Sequence, residues 1–270
     1  MKNMKFLLAR RVTQISLMLL YFLGNAYGFS VLKGTFGASL LFGTIPLSDP
    51  YTIIQVLFSG FVLGADVLIG GAIIIIFYGV FAGRGFCSWV CPVNLITDLA
   101  NYIRRKLALD GKEVKYKFLK RNTRYWIMIM SFAVSFVLGV AAFEIFSPIS
   151  IMQRGLIFGF GMGIFLLIGV FLLDLFGIKN GWCGHLCPLG AFYAIAGSKS
   201  LINIKHTAEN CTKCMECKVV CPEVQVLSII SKQSGYISGM ECTNCARCID
   251  VCNDNALHFG IRDFIKKGKK

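Results

Sequence analysis

Cys211, Cys214, Cys217 and Cys221 form a C-x2-C-x2-C-x3-C run closed by Pro222, and Cys242, Cys245, Cys248 and Cys252 repeat that spacing 31 residues later. This is the spacing of proteins that hold two [4Fe–4S] clusters. A cubane takes four converging thiolates, and one tight loop brings only three to it, so the fourth thiolate of each run crosses to the other cluster. The spacing assigns Cys211, Cys214, Cys217 and Cys252 to cluster 1, and Cys242, Cys245, Cys248 and Cys221 to cluster 2. Structural zinc also favours C-x2-C pairs, but zinc leaves two complete four-cysteine runs at matching spacing unexplained. Asn253 stands where a second closing proline is expected. Proline is not a ligand, so the ligation is untouched.

The preceding 199 residues read as a membrane domain. Mean hydropathy is +0.66, and only 16% of residues are charged, against about a quarter in soluble proteins. Apolar segments at Val12–Val31, Ile53–Ala82, Tyr125–Phe146 and Leu156–Gly177 each reach the roughly 20 residues that cross a hydrocarbon core. None shows the polar stripe of a soluble core helix, and their formal charges are Asp66, Glu144 and Asp174. Four spans are expected.

Basic residues set the topology. Residues 1–11 hold four Lys/Arg, residues 83–124 ten and residues 178–270 twelve, whereas 32–52 holds only Lys33 and 147–155 only Arg154. The positive-inside rule places both termini, the 83–124 loop and the cysteine-rich domain in the cytoplasm. A net charge of +14 then serves anionic lipid head groups rather than nucleic acid, and the 266–270 tail fits that use. A reducing compartment keeps the cysteines as ligands and thiols. Ala26-Tyr27-Gly28 resembles a signal-peptide cleavage site, but an internal repeat uses the first span, so cleavage is not expected.

Gly85-Phe86-Cys87-Ser88-Trp89-Val90-Cys91-Pro92 and Gly181-Trp182-Cys183-Gly184-His185-Leu186-Cys187-Pro188 both read G-aromatic-C-x3-C-P after an inward-running span. Pro50 and Gln55 upstream of the first match Pro148 and Gln153 upstream of the second. The membrane part therefore reads as two tandem hairpins in one orientation, related by an axis along the membrane normal, with both motifs at the cytoplasmic face. Pro92 opens an amphipathic helix, carrying Leu95, Ile96, Leu99 and Ile103 on one side, that is expected to lie in the inner interface. Cys87, Cys91, Cys183 and Cys187 could be inert thiols, a redox dithiol, ligands of an additional metal centre or a docking surface. Trp89 stands where the second motif has His185, so a symmetric histidine ligand is excluded.

Four spans, the two C-x3-C-P motifs and the two cluster runs, in that order, resemble the NapH family of ferredoxin-type proteins over essentially all 270 residues. Copper-oxidase maturation proteins of the CcoG type are similar but carry a further domain after the clusters. NosR-type proteins carry a large domain before the spans. This chain is expected to have neither extension. The expected fold is an all-α polytopic membrane domain (1–199; four transmembrane helices, two hairpin repeats) plus a small α+β bacterial-type ferredoxin domain with a basic tail (200–270) in the bacterial inner membrane. The resemblance implies a quinol dehydrogenase subunit. It would pass electrons from membrane quinol, with a periplasmic multi-cluster ferredoxin of the NapG type, toward periplasmic nitrate reductase. Ionisable residues inside spans are functional candidates, so Asp66 and Glu144 are expected to take the quinol's protons. The clusters lie on the face opposite the implied acceptor, which keeps a second class open: an assembly or maturation factor for a periplasmic or membrane metalloenzyme. A transporter is disfavoured by the absence of inverted repeats and broken spans.

Overall fold

The computed structural model describes residues 4–29, 31–107, 120–237 and 239–262. The basic tail at 266–270 and residues 108–119 of the basic loop lie outside the described residues. The chain divides into two compact units, one built from 1–13, 76–90 and 193–270, the other from 14–75 and 91–192.

Among the described residues, two helices are long and apolar enough to cross a membrane: α1 (Lys5–Ala26), and α3 (Ala65–Ile76) with its continuation through a π-helical turn, Phe77–Ala82. The other expected spans are interrupted. A short helix α2 (Pro50–Phe58) precedes α3. After α4 (Val93–Lys106) and α5 (Thr123–Leu138) come α6 (Ala142–Phe146), α7 (Pro148–Phe158) and α8 (Gly163–Leu172), which runs into a second π-helical turn, Leu173–Gly177. The expectation of four unbroken spans is therefore corrected, and the case against a transporter loses its broken-span half. The causes are local. Pro50 and Pro148 each occupy the first turn of a new helix, where a missing N–H costs nothing. Gly60 (φ +83°) and Gly159 (φ +91°) follow α2 and α7 in conformations that L side chains rarely adopt.

The connection after α1 is a three-stranded antiparallel sheet, β1 (Leu32–Gly34), β2 (Ala38–Leu41) and β3 (Ile45–Ser48), in the order β1-β2-β3. The membrane part is thus not purely helical. Gln153 of α7 stitches onto the first turn of this sheet, accepting from the Phe36 N–H (2.8 Å) and donating to the Gly34 carbonyl (3.2 Å). Tyr51 of α2 is 1% exposed, bonds Ser131 of α5 through its hydroxyl and packs against Phe132, Phe143 and Phe192.

Helix α4 buries its polar side. Thr97, Asp98, Asn101 and Arg104 are buried while Leu99 and Tyr102 are half exposed. The expected amphipathic helix exists, but its polar face packs on protein instead of water. The Arg104 guanidinium donates to the carbonyls of Asp174, Leu175 and Gly177, and Asn101 donates to the Asn180 side chain at 2.7 Å.

In the first unit, the end of α9 (Pro188–Ala196), from Tyr193 on, leads into an antiparallel sheet of order β5-β4-β6, with β4 Ile202–His206, β5 Gly235–Tyr236 and β6 Leu257–Ile261. Two short helices, α10 (Glu216–Val220) and α11 (Arg247–Asp250), complete an α+β domain. Its core mixes Ile204, Leu227, Ile230, Ile237 and Leu257 with Cys217, Cys221 and Cys248. The start of α1 is capped by this domain: the Phe6 and Leu7 N–H groups donate to the Asp250 carboxylate (3.1 and 2.9 Å). An acidic group satisfying first-turn N–H groups also complements the helix dipole.

Gly83 (φ +58°) and Gly197 make a close backbone crossing in the same unit. A Cβ at Gly197 would stand 2.4 Å from the Gly83 Cα. Gly197→Ala should cost about 1–3 kcal/mol through overpacking against backbone, read as a lower urea midpoint for protease resistance of the C-terminal domain. Gly235→Ala, where a Cβ meets nothing within 4 Å, should leave that midpoint within error. Equal midpoints for both variants would contradict the crossing.

Candidate metal centres

The two cluster runs fold alike. Lys213 and Met215 flank Cys214 in left-handed conformation (φ +62° each), as Asn244 (φ +49°) and Ala246 (φ +56°) flank Cys245. Such a conformation strains a non-glycine residue by on the order of 1 kcal/mol and clusters at functional sites. It turns successive N–H groups toward one concavity, the arrangement that holds anionic centres such as iron–sulfur clusters. Each loop ends in a short helix that carries the third cysteine, Cys217 in α10 and Cys248 in α11.

The thiols gather across the runs. The Cys217 thiol is pushed up by burial and then by Cys214, Cys252 and Cys211. The Cys248 thiol is raised well above its ordinary value by burial, then by Cys245, Cys242, Cys221 and Cys217. One cavity is lined by Cys221, Cys242, Cys245 and Cys248 together with Ile204, Val226, Leu227 and Ile237. Cys221 thus lines one cavity with three cysteines of the other run. None of the twelve cysteines is in a disulfide. Among the described residues, no three His, Cys, Asp or Glu side chains converge closely enough to hold a single ion. A cubane bears its thiolates on separate iron atoms, and two four-cysteine runs supply the eight thiolates that two such clusters take. The two loops differ in exposure: Cys214 is exposed, whereas Cys245 and Cys248 are buried.

The two C-x3-C-P motifs share one backbone device. Each is a π-helical turn, Phe86–Val90 and Trp182–Leu186, carrying the first cysteine, with the second just beyond it. Such turns recur at functional sites. In the second motif the Cys187 N–H closes the turn on the Trp182 carbonyl (2.9 Å), Asp174 accepts from the Trp182 N–H (3.0 Å), and His185 Nδ1 lies 3.4 Å from the Asn180 carbonyl. The first motif is anchored on a cluster loop: Ser88 Oγ donates to the Thr243 carbonyl (2.7 Å) and Trp89 Nε1 to that of Asn244 (3.0 Å). Cys87 belongs to the first unit, and Cys91, Cys183 and Cys187 to the second.

The two acids expected inside spans part company. Asp66 is exposed in the first turn of α3, where a carboxylate complements the helix dipole. Glu144 is hydrogen-bonded by Ser150 Oγ (2.5 Å) and Thr52 Oγ1 (3.5 Å), and Thr52 also reaches Asp49 Oδ2 (3.2 Å). Asp49 escaped the sequence reading, although Asp-Pro before an apolar run is a helix-start signal. It caps α2, and burial lifts its carboxyl to about 6 against the Tyr51 and Thr52 hydrogen bonds, with Glu144 adding to the rise. Asp174 is fully buried beside the second motif.

One family model, described as "4Fe-4S binding domain", matches the chain twice, over 63–109 and 159–205. The matches are in register, each starting 24 residues before the first cysteine of its motif, Cys87 or Cys183. A second, "4Fe-4S dicluster domain", matches 203–253. Among characterised relatives, the ferredoxin-type protein NapH of Haemophilus influenzae is 40% identical over 96% of this chain and 90% of its own length. NapH of Escherichia coli is 38% identical, covering 97% and 91%. The methylamine utilization ferredoxin-type protein MauN of Methylorubrum extorquens is 40% identical, covering 94% and 88%. No solved structure matches the chain.

A carboxyl raised in the folded state favours its protonated form there, so its contribution to stability falls as pH rises from about 4 through about 6. Asp49→Asn keeps a capping oxygen and removes the charge. The variant should match the parent near pH 4 and exceed it in stability at pH 7 in denaturant melts. A variant weaker than the parent at pH 7 would contradict this environment for Asp49.

Proposed function

The chain belongs to the family of the ferredoxin-type proteins NapH and MauN, and from that premise we propose that it is a membrane-bound quinol dehydrogenase subunit. It passes electrons from membrane quinol toward periplasmic nitrate reductase through a periplasmic multi-cluster ferredoxin of the NapG type. The observation that carries the reading is a segment of eight cysteines matched by a dicluster family model, in which Cys221 lines one cavity with Cys242, Cys245 and Cys248. Cys211, Cys214, Cys217 and Cys252 hold one [4Fe–4S] cluster, and Cys242, Cys245, Cys248 and Cys221 the other. Bound there, the clusters supply one-electron transfer.

Oxidation of a quinol releases two electrons and two protons, so the chain must also take protons. Glu144, held by Ser150 and linked through Thr52 to Asp49, can accept a proton at its carboxylate and pass it along that chain. Asp66 stands exposed on α3 as the second candidate. Cys87, Cys91, Cys183 and Cys187 serve as redox or additional metal residues. Support comes from the 4Fe-4S family model, which spans both of their motifs. The protein lies in the bacterial inner membrane with both termini and the ferredoxin domain cytoplasmic. The distribution of basic residues and the capping of α1's amino end by Asp250 support that placement.

NapH and MauN relatives stand at the same identity, and the MauN relatives are named for methylamine utilization. Ferredoxin-type chemistry is common to both, and the nitrate system is the arm to which this proposal commits. A maturation factor is the competing class. Reduction of the detergent-purified protein by a quinol analogue, followed by EPR, separates them. The expected result is quinol-dependent reduction, with Cys214→Ala losing one cluster and the protease resistance of the C-terminal domain. Full clusters that stay oxidised with quinol present would favour maturation, and near-normal iron in Cys214→Ala would remove that residue from the ligands.

A further inference from the structure

Arg84 is a fully charged side chain buried to 1% exposure at the stem of the first C-x3-C-P motif. Its Nη1 lies 3.5 Å from Oε1 of Glu223, itself 3% exposed, and donates to the Glu241 carbonyl at 2.9 Å. Glu223 lines the same cavity as Cys221, Cys242, Cys245 and Cys248. Glu241 is the residue immediately before Cys242. Glu223 therefore sits in the wall of the site of Cys221, Cys242, Cys245 and Cys248, with Arg84 3.5 Å from it.

The stem is fastened to that loop at further points. Beyond the Ser88 and Trp89 bonds, Asn244 Nδ2 donates to the Ala82 carbonyl (3.1 Å) and to the Ile202 carbonyl (2.9 Å). Every residue between Glu241 and Asn244 except the ligand Cys242 thus has a hydrogen bond to residues 82–89. The other loop is tied differently: the Thr212 N–H donates to Asp254 at 3.1 Å, and Cys214 stays exposed.

A buried ion pair is costly to desolvate and weak evidence for stability. Its charges do act strongly on anything else in that low-dielectric wall. Glu223 is also held by Gln225 Nε2 (2.9 Å), which bonds the Glu241 carboxylate as well, and Arg247 lines the cavity from the far side.

We infer that Arg84 and Glu223 are a potential-setting pair for the cluster of Cys242, Cys245, Cys248 and Cys221, and that they clamp that cluster loop to the first C-x3-C-P motif. The inference rests on the two-cluster reading above. It orders the clusters: the one with the exposed Cys214 faces solution, and the clamped one adjoins the motif.

The test is an EPR-monitored redox titration of the detergent-purified full-length protein with dithionite as reductant. Glu223→Gln removes one negative charge from beside the guanidinium, which cannot lose its proton. A positive charge stabilises the reduced, more negative state, so one midpoint should rise while the other stays fixed and iron content stays normal. Adding Arg84→Gln to that variant removes both charges and should return the midpoint toward the parent's. A merely structural pair would move neither midpoint selectively. Unmoved midpoints, an equal shift of both, or no return in the double variant would overturn the inference. A parent protein without two EPR-active clusters would overturn the two-cluster reading itself.

Discussion

The C-terminal domain is organised by the need to bring eight thiols together in some sixty residues. Cys217, Cys221 and Cys248 occupy positions that aliphatic side chains would fill in an ordinary core. Burial and mutual repulsion both oppose thiolates there, so the gathered set is unfavourable without a cation. Iron resolves that conflict, and its binding energy becomes folding energy. A domain this small has little apolar area to spare otherwise. The strained left-handed residues beside Cys214 and Cys245 belong to the same bargain: backbone strain is accepted where it aims N–H groups at the site.

The membrane part repeats a single plan twice. A proline-initiated helix is followed by an apolar one, a π-helical turn at the latter's C-terminal end, and a C-x3-C-P motif wound in a second π-helical turn. Each motif is held by a neighbour with polar groups to offer. Around the second, α4 turns its polar side inward, with Asn101 on Asn180 and Arg104 on the carbonyls that end the π-helical turn after α8. Around the first, the loop of Cys242 to Cys245 takes that part through Thr243 and Asn244. Buried polar groups must find partners, and the duplicated motif meets this demand in two different ways.

The cysteine runs and the duplicated motif were legible because each is a matter of spacing along the chain. The helix breaks were not. Residues 59–64, Ser-Gly-Phe-Val-Leu-Gly, are nearly as apolar as the helices they separate, so hydropathy ran straight through a turn at Gly60. The sheet of β1 to β3 was hidden because three short strands in a connection carry little alternation. The reversal of α4 was missed for a related reason: its pattern is amphipathic, and only packing decides which face meets protein. Asp49 and Arg84 lay outside the spans and motifs, and the role of Arg84 depends on a partner distant in sequence, Glu223.

Two crossed cubanes make a demand that can be counted. Iron and acid-labile sulfide should be quantified on anaerobically purified protein, with EPR after reduction. The account predicts about eight iron atoms per chain and the signature of two interacting [4Fe–4S] clusters, with Cys221→Ala and Cys252→Ala each depleting the cluster of the opposite run. Zinc in place of iron, or a cluster lost from the same run as the mutated cysteine, would contradict it.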